Sequence, residues 1–218
     1  MNSARKRVAV LISGGGSNML ALADACAQAD FPAEIVGVIS DKKSAGGLTK
    51  AEARGIATFA FERKDFASKV EHEAAVLSAL DDLQPDVVCL AGYMRLLSAD
   101  FIRPYAGRII NIHPSLLPLF PGLHTHQRAL NAGVRVAGCT VHFVTEGMDE
   151  GPVVAQAVVP VLPGDTSDTL AARVLTVEHQ TYPLALKLVA EGQVRMTANG
   201  SVERDSSPTD PRAQLISI

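Results

Sequence analysis

Cysteine is scarce in this chain: Cys26, Cys89 and Cys139 are the only three in 218 residues. They lie far apart, none forms a Cys-x-x-Cys pair, and each sits in an apolar stretch. That argues against a disulfide framework or a thiolate metal site and for reduced core thiols, as in a reducing compartment. No apolar run approaches the roughly 20 residues of a membrane span. Arg5, Lys6 and Arg7 precede an apolar run, but it covers only 8–12 before Ser13-Gly14-Gly15-Gly16 breaks it. A secretory core needs roughly 7–15 apolar residues. The expectation is a cytoplasmic protein without a membrane partner. The net charge is −3, with Lys and Arg scattered; without a basic stripe, nucleic acid is not an expected partner. Internal repeats, a Gly-Lys-Ser/Thr phosphate loop and a nucleophile elbow are also missing. His124 and His126 would point apart at a helix start, and no Glu-x-x-His pattern supports zinc, so no metal is expected.

What the chain does have is apolar bulk, 47% hydrophobic against 20% charged, enough for one domain with a full core. Short β-branched runs alternate with helical patterns. Strands are predicted at 8–13, 34–40, 56–60 and 86–91, with helices at 17–29, 44–54 and 66–83. The continuous apolar run of the fourth strand suits a strand covered on both faces. This alternation implies right-handed crossovers and an open parallel sheet. The rhythm then changes. A strand at 108–113 enters a proline-rich loop at 114–121, followed by a helix at 124–132, strands at 138–144 and 153–161, and a long helix at 167–190. The fold class is therefore α/β: a single domain with an open, mostly parallel Rossmann-like sheet, helices on both faces, and mixed strands in the C-terminal half. From Thr197 the composition turns polar, and 203–218 is expected to be loosely held.

Three features carry chemistry. The first is Ser13-Gly14-Gly15-Gly16-Ser17-Asn18, where a strand ends and a helix begins. Glycines let backbone N–H groups approach a ligand, Ser17 can cap the helix, and the helix dipole favours an anion. A phosphate cradle is one reading. A dinucleotide fingerprint is another, with Gly14 and Gly16 in place but Met19 at the third position and Asp41 as the ribose acid; a tight turn without ligand is a third. The second feature is Asn111-Ile112-His113-Pro114. Alternation puts Asn111 and His113 on one strand face, and Pro114 keeps His113 extended. A neutral donor beside a proton carrier suits oxyanion stabilisation and proton transfer in acyl chemistry. The third is Asp149, in a glycine-flanked loop. It is either a solvated turn acid or, if it reaches His113, a carboxylate that favours the imidazolium. His142 is a supporting group or a core residue.

Taken in order, several strings resemble one family: Ser13-Gly14-Gly15-Gly16-Ser17-Asn18, Ala91-Gly92-Tyr93-Met94-Arg95-Leu96-Leu97, Asn111-Ile112-His113-Pro114-Ser115-Leu116-Leu117-Pro118, Pro121-Gly122-Leu123-His124-Thr125-His126, and Val141-His142-Phe143-Val144 leading to Asp149-Glu150-Gly151-Pro152. They resemble the folate-dependent formyltransferases, and among these the phosphoribosylglycinamide formyltransferases. The resemblance spans about 8–190. It implies formyl transfer from 10-formyltetrahydrofolate, as cosubstrate, to the amine of glycinamide ribonucleotide. It implies catalytic roles for Asn111, His113 and Asp149. It places the phosphate on Gly16, Ser17 and Asn18, and the ribose on Glu178. Lys69, Met94, Arg95, Leu96, Leu97, Thr145, Glu146, Gly147 and Met148 would meet the folate. Lys69 stands where this family often has arginine, which bears on the glutamate tail of the folate because lysine lacks the guanidinium fork. The implied organisation is a formyltransferase domain over 1–197, its phosphate-binding half about 1–105 and its catalytic and folate half about 106–197, then a polar tail over 198–218. A monomer or weak homodimer is expected. A deformylase of this family would normally carry a further domain before the first strand, and a methionyl-tRNA formyltransferase one after the last helix. A non-catalytic nucleotide-binding module would leave Asn111, His113 and Asp149 unexplained.

Overall fold

The computed structural model describes residues 4–205. Strands β1 (Lys6–Ile12), β2 (Ala33–Ser40), β3 (Thr58–Ala60), β4 (Val87–Leu90), β5 (Ile109–His113), β6 (Val136–Phe143) and β7 (Val153–Pro160) form one seven-stranded sheet in the order β3-β2-β1-β4-β5-β6-β7. The first five are parallel; β6 runs antiparallel to β5, and β7 antiparallel to β6. This matches the α/β class read from the sequence, including its mixed C-terminal half.

Alternation along the strands builds two cores. Val8, Val10 and Ile12 face Met19 and Leu22 of α1 (Ser17–Cys26) and Leu170, Val174 and Tyr182 of α6 (Ser167–Ala190). Ala9 and Leu11 face Val76 and Leu80 of α3 (Lys69–Leu83) and Phe101 of α4 (Ala99–Ile102). Because helices cover both faces, β1 is apolar at consecutive positions, and each large aliphatic side chain buried contributes about 1.5–3 kcal/mol. Two further helices, α2 (Gly46–Glu52) and α5 (Thr125–Asn131), complete the layers.

The local signals that bound these helices are specific. Ser68 accepts from the Glu71 N–H at 3.1 Å, and the Glu71 carboxylate accepts from the Ala67 N–H, so α3 begins at Lys69, three residues later than the hydrophobic pattern predicts. A 3-10 turn at Arg63–Asp65 precedes it. Gln84, at φ 46°, ends the helix ahead of Pro85. A reciprocal cap between Thr166 and Thr169 starts α6, which continues through Pro183.

Three features depart from the sequence reading. Ser17 does not cap α1: the cap is Gly16, and Ser17 is its exposed first residue. Gly16 has φ 72°, and a Cβ there would lie 2.8 Å from Gly47 Cα, so only glycine fits. The short α4 and the 3-10 turn Arg103–Tyr105 behind it were not foreseen, because four residues are too few to display a helical period. Finally, β8 (Val194–Met196) and β9 (Val202–Arg204) form a hairpin across the expected domain boundary at 197. The Arg204 guanidinium donates to the Val153 and Val154 carbonyls at 2.6 and 2.8 Å, docking Glu203 and its neighbours on β7. The rest of the expected tail, 206–218, lies outside the described residues. Among the described residues no helix is long and apolar enough to cross a membrane.

The fully buried Tyr182 hydroxyl lies 3.0 Å from the Leu90 carbonyl and 3.1 Å from that of Ile110, joining α6 to β4 and β5. Tyr182→Phe should lower unfolding free energy by about 1–2 kcal/mol, by stranding buried acceptors while leaving the ring in place. Urea denaturation would register this as a lower midpoint at unchanged slope.

Candidate functional site

Strand order reverses between β1 and β4, which flank opposite sides of the same point, and ligands of open α/β sheets bind beyond the C-terminal ends of the strands there. The glycine loop leaves β1 at this point. Two contacts tie it to the segment after β4: Ser13 N–H donates to the Gly92 carbonyl at 3.1 Å, and the Ser13 hydroxyl accepts from Met94 N–H at 2.8 Å. On its other side α2 holds the loop carbonyls. Gly47 N–H donates to the Gly14 carbonyl at 3.0 Å and the Lys50 ammonium to that of Gly15 at 2.9 Å. Gly14 and Gly15 are exposed, and a Cβ on either would touch no protein atom. Packing therefore demands glycine only at Gly16; the other two leave the backbone open to an approaching ligand.

Asn18 turns away from solvent. Its amide donates to Glu178 on α6 at 2.6 Å, while its own Oδ1 is buried without a protein partner. Glu178 is itself buried, and that burial pushes its carboxyl pKa up, opposed by the Asn18 hydrogen bond. The expected phosphate residue and ribose residue are thus joined directly. Asp41, the ribose acid of the dinucleotide reading, is taken: its buried carboxylate pairs with Arg95 Nε at 2.8 Å.

Asn111 and His113 project from the C-terminal end of β5, on the face opposite Ile110 and Ile112, as alternation predicts. The antiparallel register sets His142 of β6 directly across from Asn111. Burial depresses the His142 pKa, keeping the ring neutral. Its Nδ1 lies 2.9 Å from the Phe143 carbonyl, which can only accept, so Nδ1 carries the proton. Nε2 is left as an acceptor, 3.1 Å from the Asn111 amide nitrogen. This chain of donors fixes which way the Asn111 amide points.

His113 is held from two sides. Nε2 lies 3.0 Å from the Phe120 carbonyl, and Nδ1 lies 3.4 Å from Asp149 Oδ2. Both ring nitrogens face acceptors, a set that an imidazolium with two N–H groups satisfies. Asp149 also accepts from Gly122 N–H at 2.8 Å, and its other oxygen is 3.8 Å from His142 Nε2. It is a non-glycine residue at φ 57°, a strained conformation that its surroundings must impose. Gly151 shows how: a Cβ there would sit 1.7 Å from the Phe143 carbonyl oxygen, so the loop folds back tightly onto β6.

The proline-rich loop after β5 closes the site. Leu117–Pro118 is cis, and Phe120, Gly122 and His124 have positive φ. Thr140 on β6 donates to the Ser115 carbonyl at 2.7 Å and accepts from Leu117 N–H at 3.0 Å, and Gln156 on β7 bonds both Thr140 and the Leu117 carbonyl. Thr140 and Gln156 are supports that the sequence reading did not name, while His142, read there as a supporting group or a core residue, is a buried support of Asn111. The available signal was alternation, since Thr140 and His142 share a strand face and Gln156 pairs across from Thr140.

A cavity of about 280 Å³ opens beside the segment after β4. Of the residues expected to meet folate, Lys69, Met94, Arg95, Leu96 and Leu97 line it. Thr145, Glu146, Gly147 and Met148 do not; they lie in the loop before Asp149, with Glu146 and Met148 exposed. No group of three or more metal-ligating side chains occurs among the described residues.

An open α/β sheet with an anion-ready loop at its switch point and an Asn, His and Asp cluster beyond β5 defines an enzyme of acyl-transfer type. Residues 6–186 match the formyl transferase family, to which this chain belongs. It is 46% identical to phosphoribosylglycinamide formyltransferase of Escherichia coli K12, over 89% of this chain and 92% of the relative. A crystal structure of phosphoribosylglycinamide formyltransferase from Brucella melitensis is 70% identical, covering 85% of this chain and 96% of that one at a TM-score of 0.83. The chain is also 48% identical to the trifunctional purine biosynthetic protein adenosine-3 of Bos taurus, but spans only 20% of that protein's length.

Because burial raises its folded pKa, Glu178 binds its proton more tightly in the fold than in the unfolded chain. Its contribution to stability is present below the ordinary value of 4.5 and is lost as pH rises through the folded value. Glu178→Gln removes this titration. The variant should gain stability relative to the parent as pH rises from about 4 to about 8. Denaturant curves at both ends of that range would show the gain; a constant difference would contradict the assignment.

Proposed function

We propose that the protein transfers the formyl group of 10-formyltetrahydrofolate to the amine of glycinamide ribonucleotide, giving formylglycinamide ribonucleotide and tetrahydrofolate in purine biosynthesis. The observation that carries this reading is the cluster of Asn111, His113 and Asp149, brought together from β5 and the β6–β7 loop with the Asn111 amide pre-oriented by His142. The names of the full-length relatives support the substrate pair. In this reading the ribonucleotide phosphate rests on Gly16, Ser17 and Asn18, and Glu178 meets the ribose. The folate enters the cavity lined by Lys69, Met94, Arg95, Leu96 and Leu97, and in this reading it also meets Thr145, Glu146, Gly147 and Met148 of the loop before Asp149. The protein would act in the cytoplasm on small molecules, as a monomer or weak homodimer.

The chemistry is direct transfer. The substrate amine attacks the formyl carbon, a C–N bond forms, and the carbonyl electrons move to oxygen. Asn111 donates to that oxyanion through the amide N–H that His142 leaves free, and His113 through its Nε2–H, which exchanges the Phe120 carbonyl for the oxyanion; preorganised donors act most strongly there. Asp149 balances the imidazolium charge and helps relay the proton lost by the attacking amine. The intermediate then collapses, the bond to the folate nitrogen breaks, and that nitrogen takes up a proton as tetrahydrofolate leaves. No covalent enzyme intermediate is required.

Incubation with 10-formyltetrahydrofolate, with and without glycinamide ribonucleotide, tests the reading. Tetrahydrofolate release should depend on the ribonucleotide and match formylated product; release without it would make the protein a hydrolase. His113→Ala and Asp149→Ala should each lower kcat by about 10²–10³ with an unchanged circular dichroism spectrum. Near-normal turnover in either would remove that residue from the mechanism.

A further inference from the structure

The cavity beside the segment after β4 carries three cations on its lining, Arg63, Lys69 and Arg95. Two are committed within the fold. Arg95 Nε pairs with the buried Asp41 carboxylate at 2.8 Å. Lys69 leans on Glu73 at 3.6 Å, and Glu73 is further held by the Ser98 N–H at 3.0 Å and by the Ser98 hydroxyl. Arg63 differs. It is half-buried in the 3-10 turn before α3, and no carboxylate pairs with it among the described residues. Its Nη1 donates to the Phe66 carbonyl at 2.8 Å, which fixes the plane of the guanidinium and leaves its remaining N–H groups unused. A partly desolvated, oriented and unneutralised guanidinium on a cavity wall is a receptor for a carboxylate, which it can grip through two parallel bonds.

We infer that Arg63, rather than Lys69, is the principal anchor for the glutamate carboxylates of the folate cosubstrate, and so sets the preference of this enzyme for glutamylated donors. The inference rests on the proposed function for the identity of the ligand. Lys69 sits on the same wall, but as an exposed point charge already facing Glu73, and it supplies a secondary attraction. The pterin end of the folate needs no anion receptor, so the contribution of Arg63 depends on the tail alone.

The test compares two donors, 10-formyltetrahydrofolate and 10-formyltetrahydropteroate, which lacks the glutamate, in the parent, Arg63→Gln and Lys69→Gln proteins. Arg63→Gln should raise KM for the glutamylated donor about tenfold at unchanged kcat, the effect of losing one charged hydrogen-bonded contact, and leave KM for the pteroate donor where it was. Lys69→Gln should raise the first KM by only about twofold to threefold. Equal KM changes for both donors in Arg63→Gln would mean a purely structural role and would overturn the inference, as would a larger effect from Lys69→Gln. Calorimetric binding of tetrahydrofolate and tetrahydropteroate makes the same comparison without catalysis. If the parent transfers no formyl group from either donor, the functional reading fails; tighter binding of tetrahydrofolate that Arg63→Gln abolishes would still support the anchor, and equal binding of the two would sink it.

Discussion

The site depends on one cross-strand pair, Asn111 with His142. A parallel continuation of the sheet would have placed another strand end beside β5. Instead β6 returns antiparallel, and its register sets a buried imidazole opposite the Asn111 side chain. Burial keeps that ring neutral, and the Phe143 carbonyl selects its tautomer. The choice of tautomer decides whether the Asn111 amide presents its nitrogen or its oxygen to His142, and therefore what it presents to a substrate. A shift of one residue in the β5–β6 register would turn His142 to the opposite face and remove this control.

The same reversal organises the rest. With β6 and β7 folded back over β5, Thr140 and Gln156 hold the loop carrying Ser115 and Leu117, and the β6–β7 turn carries Asp149 to His113. Asn111, His113 and Asp149, the groups proposed to be catalytic, are thus mounted on β5 and the β6–β7 connection. The strained Asp149 backbone is sustained by the close contact of Gly151 with the Phe143 carbonyl, a contact that no other residue could make.

Much of this was legible in the sequence, for physical reasons that also mark its limits. Strands covered on both faces declare themselves by unbroken apolar runs, so β1 and β4 were plain. The shared face of Asn111 and His113 followed from strand periodicity alone. Period carries no information about what a side chain meets, so the roles of Thr140, His142 and Gln156 depended on strand pairing that the sequence does not print. Short elements escaped: α4 has too few residues to show a period, and the β8–β9 hairpin is polar because one of its faces is open to solvent. Ser17 was misplaced as a cap because its side chain suits that role, while the left-handed turn at Gly16 was decided by the close approach of Gly47.

The hydroxyl of Ser13 clasps the backbone of Met94, and its own N–H is tied to Gly92. These bonds make the glycine loop and the wall of the neighbouring cavity parts of one mechanical unit. A ligand that displaces either segment strains the same clasp, which gives the two segments a direct route of mechanical contact. Thermodynamic linkage then requires any such coupling to be reciprocal: whatever the occupant of one site does to affinity at the other is returned in equal measure.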